Sequence, residues 1–237
     1  MKPLSRAFVL STTGILAACG GGSATDPSPL PVPVPSPTAA APAATARYQV
    51  TFETTWSAAT HPTDFPEDAH FSSLIGGTHS AAARFWRPQA VASDGIEAMA
   101  ERGRTSPLET EIQAAINAGI ARRVLRGSGV STVPGTASIE FEIDLEQPLV
   151  TLVTMIAPSP DWFVGVHDLS LVERGNWVDE KTVALLPYDA GTDHGPTYDS
   201  PDRDAQPREP IRAIDGHPLD RAGSVGPVGR FVFRRLP

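Results

Sequence analysis

Apolar and polar residues alternate in two stretches of the chain, residues 48–56 and residues 138–145. A period of two is typical of a strand that is buried on one face and exposed on the other. Both stretches are therefore predicted to be half-buried strands. Their apolar positions are Tyr48, Val50, Phe52, Trp56, Ile139, Phe141, Ile143 and Leu145.

Other stretches predict strands by a different pattern. Residues 149–157 are nearly all apolar or β-branched, which favours a strand buried on both faces. Residues 162–166 and 230–236 are also predicted to be strands. The apolar residues of 177–186 fit either a strand or a helix, so the pattern leaves both open.

Two helices are predicted between the strands. Ser93 can cap a short helix that is ended by Gly103. A second helix is predicted to begin with Ser106 as its N-cap, Pro107 in the first helical position and Glu109 completing a capping box. Six small or apolar residues lie at helical spacing on one face of this second helix. They are Leu108, Ile112, Ala115, Ile116, Gly119 and Ile120.

The order of these elements predicts the fold class. The second helix is expected to stop at Gly127, so the helical insertion covers about residues 93–126. Strands, then a helical excursion, then further strands favour a mainly β fold, an antiparallel β-sandwich with a helical insertion.

The N-terminus predicts export and anchoring. Residues 1–18 have a short basic start and an apolar stretch that is too short to span a bilayer, which is typical of a signal peptide. The stretch ends in Leu16-Ala17-Ala18-Cys19-Gly20, which resembles the lipidation box of bacterial lipoproteins. The resemblance implies lipidation of Cys19 and an anchor in the bacterial cell envelope. Gly20, and not aspartate, follows the cysteine, which resembles Gram-negative lipoproteins that are sorted to the outer membrane. An ordinary signal peptide with an incidental cysteine is the alternative.

Residues 19–46 are predicted to be a lipid-anchored, Pro/Ala-rich tether, and residues 47–237 one globular domain. Seven prolines fall between Pro27 and Pro42. Proline fixes φ and removes the backbone donor, so this stretch is expected to be an extended spacer. A proline-rich ligand for a partner domain is the alternative.

Charge and cysteine content narrow the function classes. The chain has 27 acidic and 19 Lys plus Arg residues, a net charge of −8. That balance argues against nucleic acid as a partner, because phosphate recognition needs a basic patch, and it leaves cations as ligands. The single cysteine excludes an intrachain disulfide and zinc sites built on several cysteines.

Carboxylates recur in two irregular segments. The segment 187–210 is rich in proline, glycine and aspartate and includes Asp189 and Asp193, whereas Asp161 separates two predicted strands. If neighbouring strands bring Asp161 beside the other two, the three like charges repel unless a cation neutralises them. Calcium is bound by such oxygen ligands on turn-rich loops, although the EF-hand pattern is absent. Hydrogen-bonded turn caps are the alternative reading of the same aspartates.

The chain lacks the short motifs of common enzyme classes. It has no Gly-x-Ser-x-Gly elbow, no His-Glu-x-x-His sequence and no phosphate-binding loop. His61 and His79 are interpreted as packing residues in loops. A glycosidase pair of carboxylates stays open, because spacing in space cannot be read from the sequence. The four tryptophans could stack on sugar, although burial in the core is the simpler expectation. They are Trp56, Trp86, Trp162 and Trp177.

Several strings, in order along residues 47–237, resemble the spondin N-terminal domain family. The first strings lie in 56–96 and the later ones in 157–201. Their core sequences are His70-Phe71-Ser72-Ser73-Leu74-Ile75-Gly76-Gly77-Thr78-His79-Ser80, Ala157-Pro158-Ser159-Pro160-Asp161-Trp162-Phe163-Val164-Gly165 and Pro187-Tyr188-Asp189-Ala190-Gly191-Thr192-Asp193.

The resemblance implies a sandwich similar to calcium-dependent membrane-targeting domains and one bound Ca²⁺, held by Asp161, Asp189 and Asp193. It also implies a non-enzymatic protein, and the animal members of the family mediate adhesion. This chain departs from them in lacking cysteines in the domain and thrombospondin-type repeats, and in having His194 where a serine is common. The expected function is therefore a calcium-binding envelope lipoprotein that binds a protein or polysaccharide. A polysaccharide-directed hydrolase and a purely structural envelope protein are the alternatives.

Overall fold

The structure of the protein is a computed structural model that describes residues 42–221 and 223–237. The signal peptide, the lipidation site at Cys19 and the tether as far as residue 41 lie outside the described residues. The described helices are α1 (Asp94–Arg102) and α2 (Ser106–Asn117). The described strands are β1 (Thr45–Thr54), β2 (His70–Phe71), β3 (Ile75–His79), β4 (Ala121–Arg126), β5 (Thr136–Asp144), β6 (Leu149–Ala157), β7 (Trp162–Ser170), β8 (Val172–Glu173), β9 (Asn176–Trp177), β10 (Glu180–Leu185), β11 (Tyr188–Asp189), β12 (Arg212–Ala213), β13 (Asp220–Arg221), β14 (Ser224–Val225) and β15 (Gly229–Leu236).

Two antiparallel sheets make up most of the fold. One has the strand order β10–β15–β1–β5, and the other has the order β12–β11–β7–β6–β3–β4, with β2 also paired to β6. In the first sheet Tyr48 lies opposite Phe141 and Val50 opposite Ile139, so the apolar residues of the two alternating strands share one buried face. The mainly β class and the antiparallel β-sandwich with a helical insertion are confirmed.

Strand β6 is buried on both faces, as its composition predicts. Val150, Leu152 and Ile156 join the core between the two sheets. Val153 and Met155 point to the opposite face, where they pack with the apolar residues of the two helices. The larger sheet therefore separates two hydrophobic cores, and the helices cover its outer face.

The first helix has the predicted ends. The hydroxyl of Ser93 accepts a hydrogen bond from the backbone N–H of Ile96, with N···O 3.2 Å, and the helix ends at Gly103. Ile96 and Met99 are fully buried against the sheet. The position of α1 matters below because its polar face carries two glutamates.

The second helix departs from the prediction in three ways. Thr105 is its N-cap, so Ser106 is already helical, and the cap makes no side-chain hydrogen bond. Glu109 forms an ion pair with Arg126 instead of a capping box. The helix ends at Asn117, not at Gly127.

The predicted helical insertion of about 93–126 is therefore too long. Gly119 has φ +74°, a left-handed conformation that ends the helix and turns the chain back. Residues 121–126 form β4, which pairs with β3 at the edge of the larger sheet. Ala121 and Leu125 bury their side chains there.

Smaller differences concern strand ends. β1 begins at Thr45, so residues 45 and 46, which were assigned to the tether, lie in the sheet. Leu145 follows the end of β5 and is exposed. The ambiguous segment 177–186 is strand in β9 and β10, separated by a short break.

Candidate metal centre

Strand pairing brings Asp189 next to Asp161. Asp161 directly precedes β7, and β11 pairs antiparallel with the start of β7, so that Asp189 lies opposite Trp162. The backbone N–H of Ala190 then donates to the carbonyl oxygen of Asp161, with N···O 3.1 Å. The convergence of these two aspartates follows from a two-residue strand that the sequence pattern did not predict.

A tight turn brings the third aspartate into the same region. Gly191 has φ +73°, and a Cβ atom there would lie 2.3 Å from the carbonyl oxygen of Glu209, so the turn requires glycine. After the turn Asp193 forms an isolated bridge with Asp204. The loop is held from its other side by the backbone N–H of Ala205, which donates to the carbonyl of Thr192, with N···O 2.8 Å.

Asp161, Asp189 and Asp193 are together called the Asp161 centre, because the carboxylate of Asp161 is its most buried part. Asp161 Oδ2 accepts hydrogen bonds from the backbone N–H groups of Thr192 and Asp193, at 2.8 and 3.1 Å, and from the Thr192 hydroxyl at 3.3 Å. Its Oδ1 is buried and has no hydrogen-bond partner among the described residues. Asp161 is 0% exposed. A fully buried carboxylate oxygen without a donor is costly unless a ligand or ion contacts it.

The other two aspartates also stabilise their own turns. Asp189 Oδ1 accepts from the N–H of Gly191 at 2.8 Å, and its Oδ2 accepts from Arg212 at 2.8 Å. Asp193 Oδ1 accepts from the N–H of Gly195, and its Oδ2 from the N–H of Arg203, both at 2.6 Å. The turn-cap alternative is thus part of the observed geometry at these two residues.

Burial dominates the electrostatics of the group. It raises the pKa of Asp161 to about 7, the negative charge of Asp189 adds to the rise, and the backbone amides of Thr192 and Asp193 oppose it. Burial also raises the pKa of Asp189, whereas the guanidinium of Arg212 lowers it. Burial therefore disfavours the charged form of both carboxyl groups more than their hydrogen-bond partners favour it.

The donor set suits calcium, but the three carboxylates are not yet in coordinating positions. Calcium–oxygen distances of about 2.3–2.6 Å keep the ligands of one ion within about 5 Å of one another. Among the described residues, the group of three that meets a 4.8 Å limit is a different one, Glu97, Glu101 and Asp204. Asp161 Oδ1 has no competing partner among the described residues, whereas calcium binding by Asp189 Oδ2 requires it to give up Arg212, whose half-exposed guanidinium also pairs with Glu209 at 3.0 Å.

The histidines and tryptophans singled out in the sequence lie in the core. His79 is in β3, not in a loop as expected, and its Nε2 lies 2.8 Å from the Thr151 hydroxyl. His61 is buried as a packing residue. All four tryptophans are buried, so none offers an exposed ring to a sugar. They are Trp56, Trp86, Trp162 and Trp177.

Comparison with known proteins gives the chain a family. A family model described as Spondin_N matches residues 46–225. The chain belongs to the spondin N-terminal domain family. The resemblance inferred from the sequence motifs is therefore confirmed, and the matched range contains all the acidic residues discussed above.

Animal spondins are among the proteins that the chain resembles. Spondin-1 of Rattus norvegicus is 37% identical over 206 residues, which cover 81% of this chain and 25% of the relative. Spondin-2 of Homo sapiens is 35% identical over 206 residues, which cover 81% of this chain and 62% of the relative. The chain thus spans about a quarter of the length of Spondin-1. In the described part of the chain, neither helix is long and apolar enough to cross a membrane.

Proposed function

We propose that the chain is a non-enzymatic, calcium-binding lipoprotein of the bacterial cell envelope that binds a ligand through its spondin-like domain. Membership of the spondin N-terminal family supports the adhesion or ligand-binding part of the proposal. The unpartnered, buried Oδ1 of Asp161 is the observation that carries the calcium part. Lipidation of Cys19 and an outer-membrane location rest on the lipidation box alone.

The proposed ligand is a protein or a polysaccharide, and calcium is proposed to stabilise the domain that binds it.

Asp161, Asp189 and Asp193 would hold the ion. When bound, calcium supplies two positive charges in a place where burial disfavours the charged carboxylates of Asp161 and Asp189. Asp161 would bind through Oδ1, since its Oδ2 is already held by the amides of Thr192 and Asp193. The ion would thereby join the start of β7 to the segment 187–210, which has little regular structure of its own.

An open groove beside the aspartates is the proposed place for the partner. It has a volume of about 270 Å³, and both Asp189 and Asp193 line it. Arg212, His194 and His217 also line the groove, so that cationic or polar groups face a ligand there. A ligand carboxylate or hydroxyl in this groove could contact the calcium directly, which would make binding calcium-dependent.

The hydrolase alternative is less well supported by this geometry. A general acid must contact the substrate, and the carboxyl group with the raised pKa, Asp161, is fully buried. Asp189 is held by Arg212 and Asp193 by two backbone amides. These contacts support a role in holding the loop and an ion over a role in bond cleavage.

Calorimetry with and without calcium tests the proposal. A dissociation constant near 10⁻⁵ M, at the tight end for extracellular modules, would make 1 mM calcium stabilise the fold by about 2.7 kcal/mol. For a domain of this size that is a rise in Tm of roughly 5–11 °C. Asp189→Asn should lose at least half of the rise, whereas Glu146→Gln, which removes an exposed charge elsewhere, should keep all of it. An Asp189→Asn chain that keeps the full rise would refute a calcium site at this centre.

A further inference from the structure

We propose that Glu97, Glu101 and Asp204 form a second site for a hard divalent cation, separate from the Asp161 centre. One carboxylate oxygen from each residue lies within 4.8 Å of the others. Calcium–oxygen distances of about 2.3–2.6 Å allow one ion to contact all three oxygens at that separation. The three residues therefore have the coordinating spacing that the Asp161 centre lacks.

The fold holds the ligands from two directions. Glu97 and Glu101 are one turn apart on α1, which is fixed by the buried residues on its other face. Asp204 comes from the loop and is held by its bridge with Asp193. An ion here would join the helical layer to the segment 187–210, a connection that like charges alone would disfavour.

Glu101 provides an independent sign that a ligand belongs here. Its side chain is only 6% exposed. Its Oε1 is buried without a hydrogen-bond partner among the described residues, whereas its Oε2 pairs with Arg102 and the carboxyl group also interacts with the Thr192 side chain. A buried carboxylate oxygen in this state is costly, and a cation among the three carboxylates would contact it.

The surrounding arginines leave negative charge uncompensated. Arg102 lies 2.7 Å from Glu101 and 4.0 Å from Glu97. Arg208 pairs with Glu97 and, at 2.7 Å, with the neighbouring Asp94. Asp204 has no ion pair with any described residue. The three proposed ligands and the exposed Asp94 thus share two arginines, which leaves negative charge that a divalent cation would offset.

The site is open to water and ions. Asp204 is exposed, and Glu101, alone among the three proposed ligands, lines a cavity of about 250 Å³ together with Ser159 and Ser200. Calcium needs six to eight oxygen ligands, so water and hydroxyl groups in this cavity would complete a set that begins with three carboxylates. The Asp161 centre and this site share the loop between them but no ligand.

Equilibrium dialysis of the full chain against radioactive calcium tests the proposal by stoichiometry. The wild-type chain should bind two calcium ions, Asp204→Asn one, and Glu101→Gln one. Asp189→Asn should also bind one, and the control Glu146→Gln should bind two. Asp204 is exposed, so its amide variant should melt in chelator as the wild type does.

The outcomes separate the two sites. Binding of one ion that is lost in Asp189→Asn and kept in Asp204→Asn would overturn the second site and leave the Asp161 centre standing. Binding of one ion that is lost in Asp204→Asn and kept in Asp189→Asn would support the second site and overturn the Asp161 centre. Two ions in the wild type, both kept in Asp204→Asn and Glu101→Gln, would overturn the assignment of these ligands, and no bound calcium would overturn both sites.

Discussion

The burial of Asp161 gives this residue a measurable effect even without metal. Its folded-state pKa of about 7 lies well above the ordinary value of 3.8. The folded state therefore holds the proton more tightly than the unfolded chain does. This contribution to stability is present below about pH 4 and is lost as pH rises towards 7.

We expect the Asp161→Asn chain, in chelator, to gain stability relative to the wild type as pH rises from 5 to 8. Of the full shift of roughly 4 kcal/mol, about 2.7 kcal/mol falls between pH 5 and pH 7, and structural relaxation reduces this upper limit. Denaturant unfolding at both pH values measures it. Burial lowers the pKa of His79, which acts in the opposite direction, but this effect is common to both chains and cancels in the difference. A difference that is the same at pH 5 and pH 8 would contradict the buried, repelled state of Asp161.

Arg212 is expected to compete with calcium. Its guanidinium holds Asp189 Oδ2 at 2.8 Å and adds a positive charge next to the proposed ion. Arg212→Gln should therefore raise the calcium affinity of the Asp161 centre by about tenfold, which is about 1.4 kcal/mol. The loss of stability in chelator should be at most about 1 kcal/mol, because the arginine is half exposed.

Calcium titration by calorimetry measures the effect of Arg212→Gln. Arg230→Gln is the matched control, because Arg230 pairs with Glu53 on the other sheet, away from the aspartates. An Arg212→Gln chain that binds calcium more weakly than the wild type would show that the guanidinium supports the site instead of competing for it.

At the scale of elements, the sequence was informative where one residue controls a local structure. The bounds of β6, Leu149–Ala157, and the ends of α1 follow from continuous apolar character and from a serine cap and a glycine stop. The end of α2 was missed because the apolar spacing of Ile116 and Ile120 continues past the glycine that breaks the helix. Strand β4 depends on pairing with β3, a contact that no local pattern reports.

A contact between the helices was also invisible in the sequence. Glu111 of α2 caps α1: its Oε2 accepts from the Ser93 hydroxyl and its Oε1 from the N–H of Gly95, both at 2.7 Å. Glu111→Ala should lower the free energy of unfolding by about 1 kcal/mol, because it leaves these partly buried donors without the carboxylate. Urea unfolding measures this, with the exposed Gln113→Ala on the same helix as control. Equal stability of the two variants would show that the cap contributes nothing.

At the scale of the whole molecule, the sequence predicts the group of three aspartates but not the cluster of Glu97, Glu101 and Asp204. Asp161, Asp189 and Asp193 lie on two segments whose irregular composition is visible in the sequence, and the family resemblance connects them. Glu97 and Asp204 are more than a hundred residues apart in the chain. Which face of α1 meets which part of the loop is decided by packing against the sheet, so their meeting could not be predicted.

The proposed membrane anchoring concerns the whole chain and rests on one residue. We expect Cys19→Ser to leave the protein unprocessed or released from the membrane fraction, because a lipidated cysteine is the proposed anchor. Fractionation and mass spectrometry of the mature N-terminus measure this. An unmodified wild-type chain that begins at another residue would contradict lipidation.

Calcium should also change how firmly the segment 187–210 is held to the sandwich. The backbone amides of Thr192, Asp193 and Gly195 all donate to aspartate oxygens of the Asp161 centre. When calcium fixes those oxygens, opening of the segment requires release of the ion. At calcium a hundred times its dissociation constant, amide exchange through such openings should slow by about a hundredfold, or about 2.7 kcal/mol.

Hydrogen exchange of the wild-type chain in calcium and in chelator measures this. The amide of Val50, in the centre of the smaller sheet, is the internal reference, and Asp189→Asn should remove the calcium effect from the segment. Equal slowing of the loop in the wild type and in Asp189→Asn would mean that these aspartates serve the turns alone.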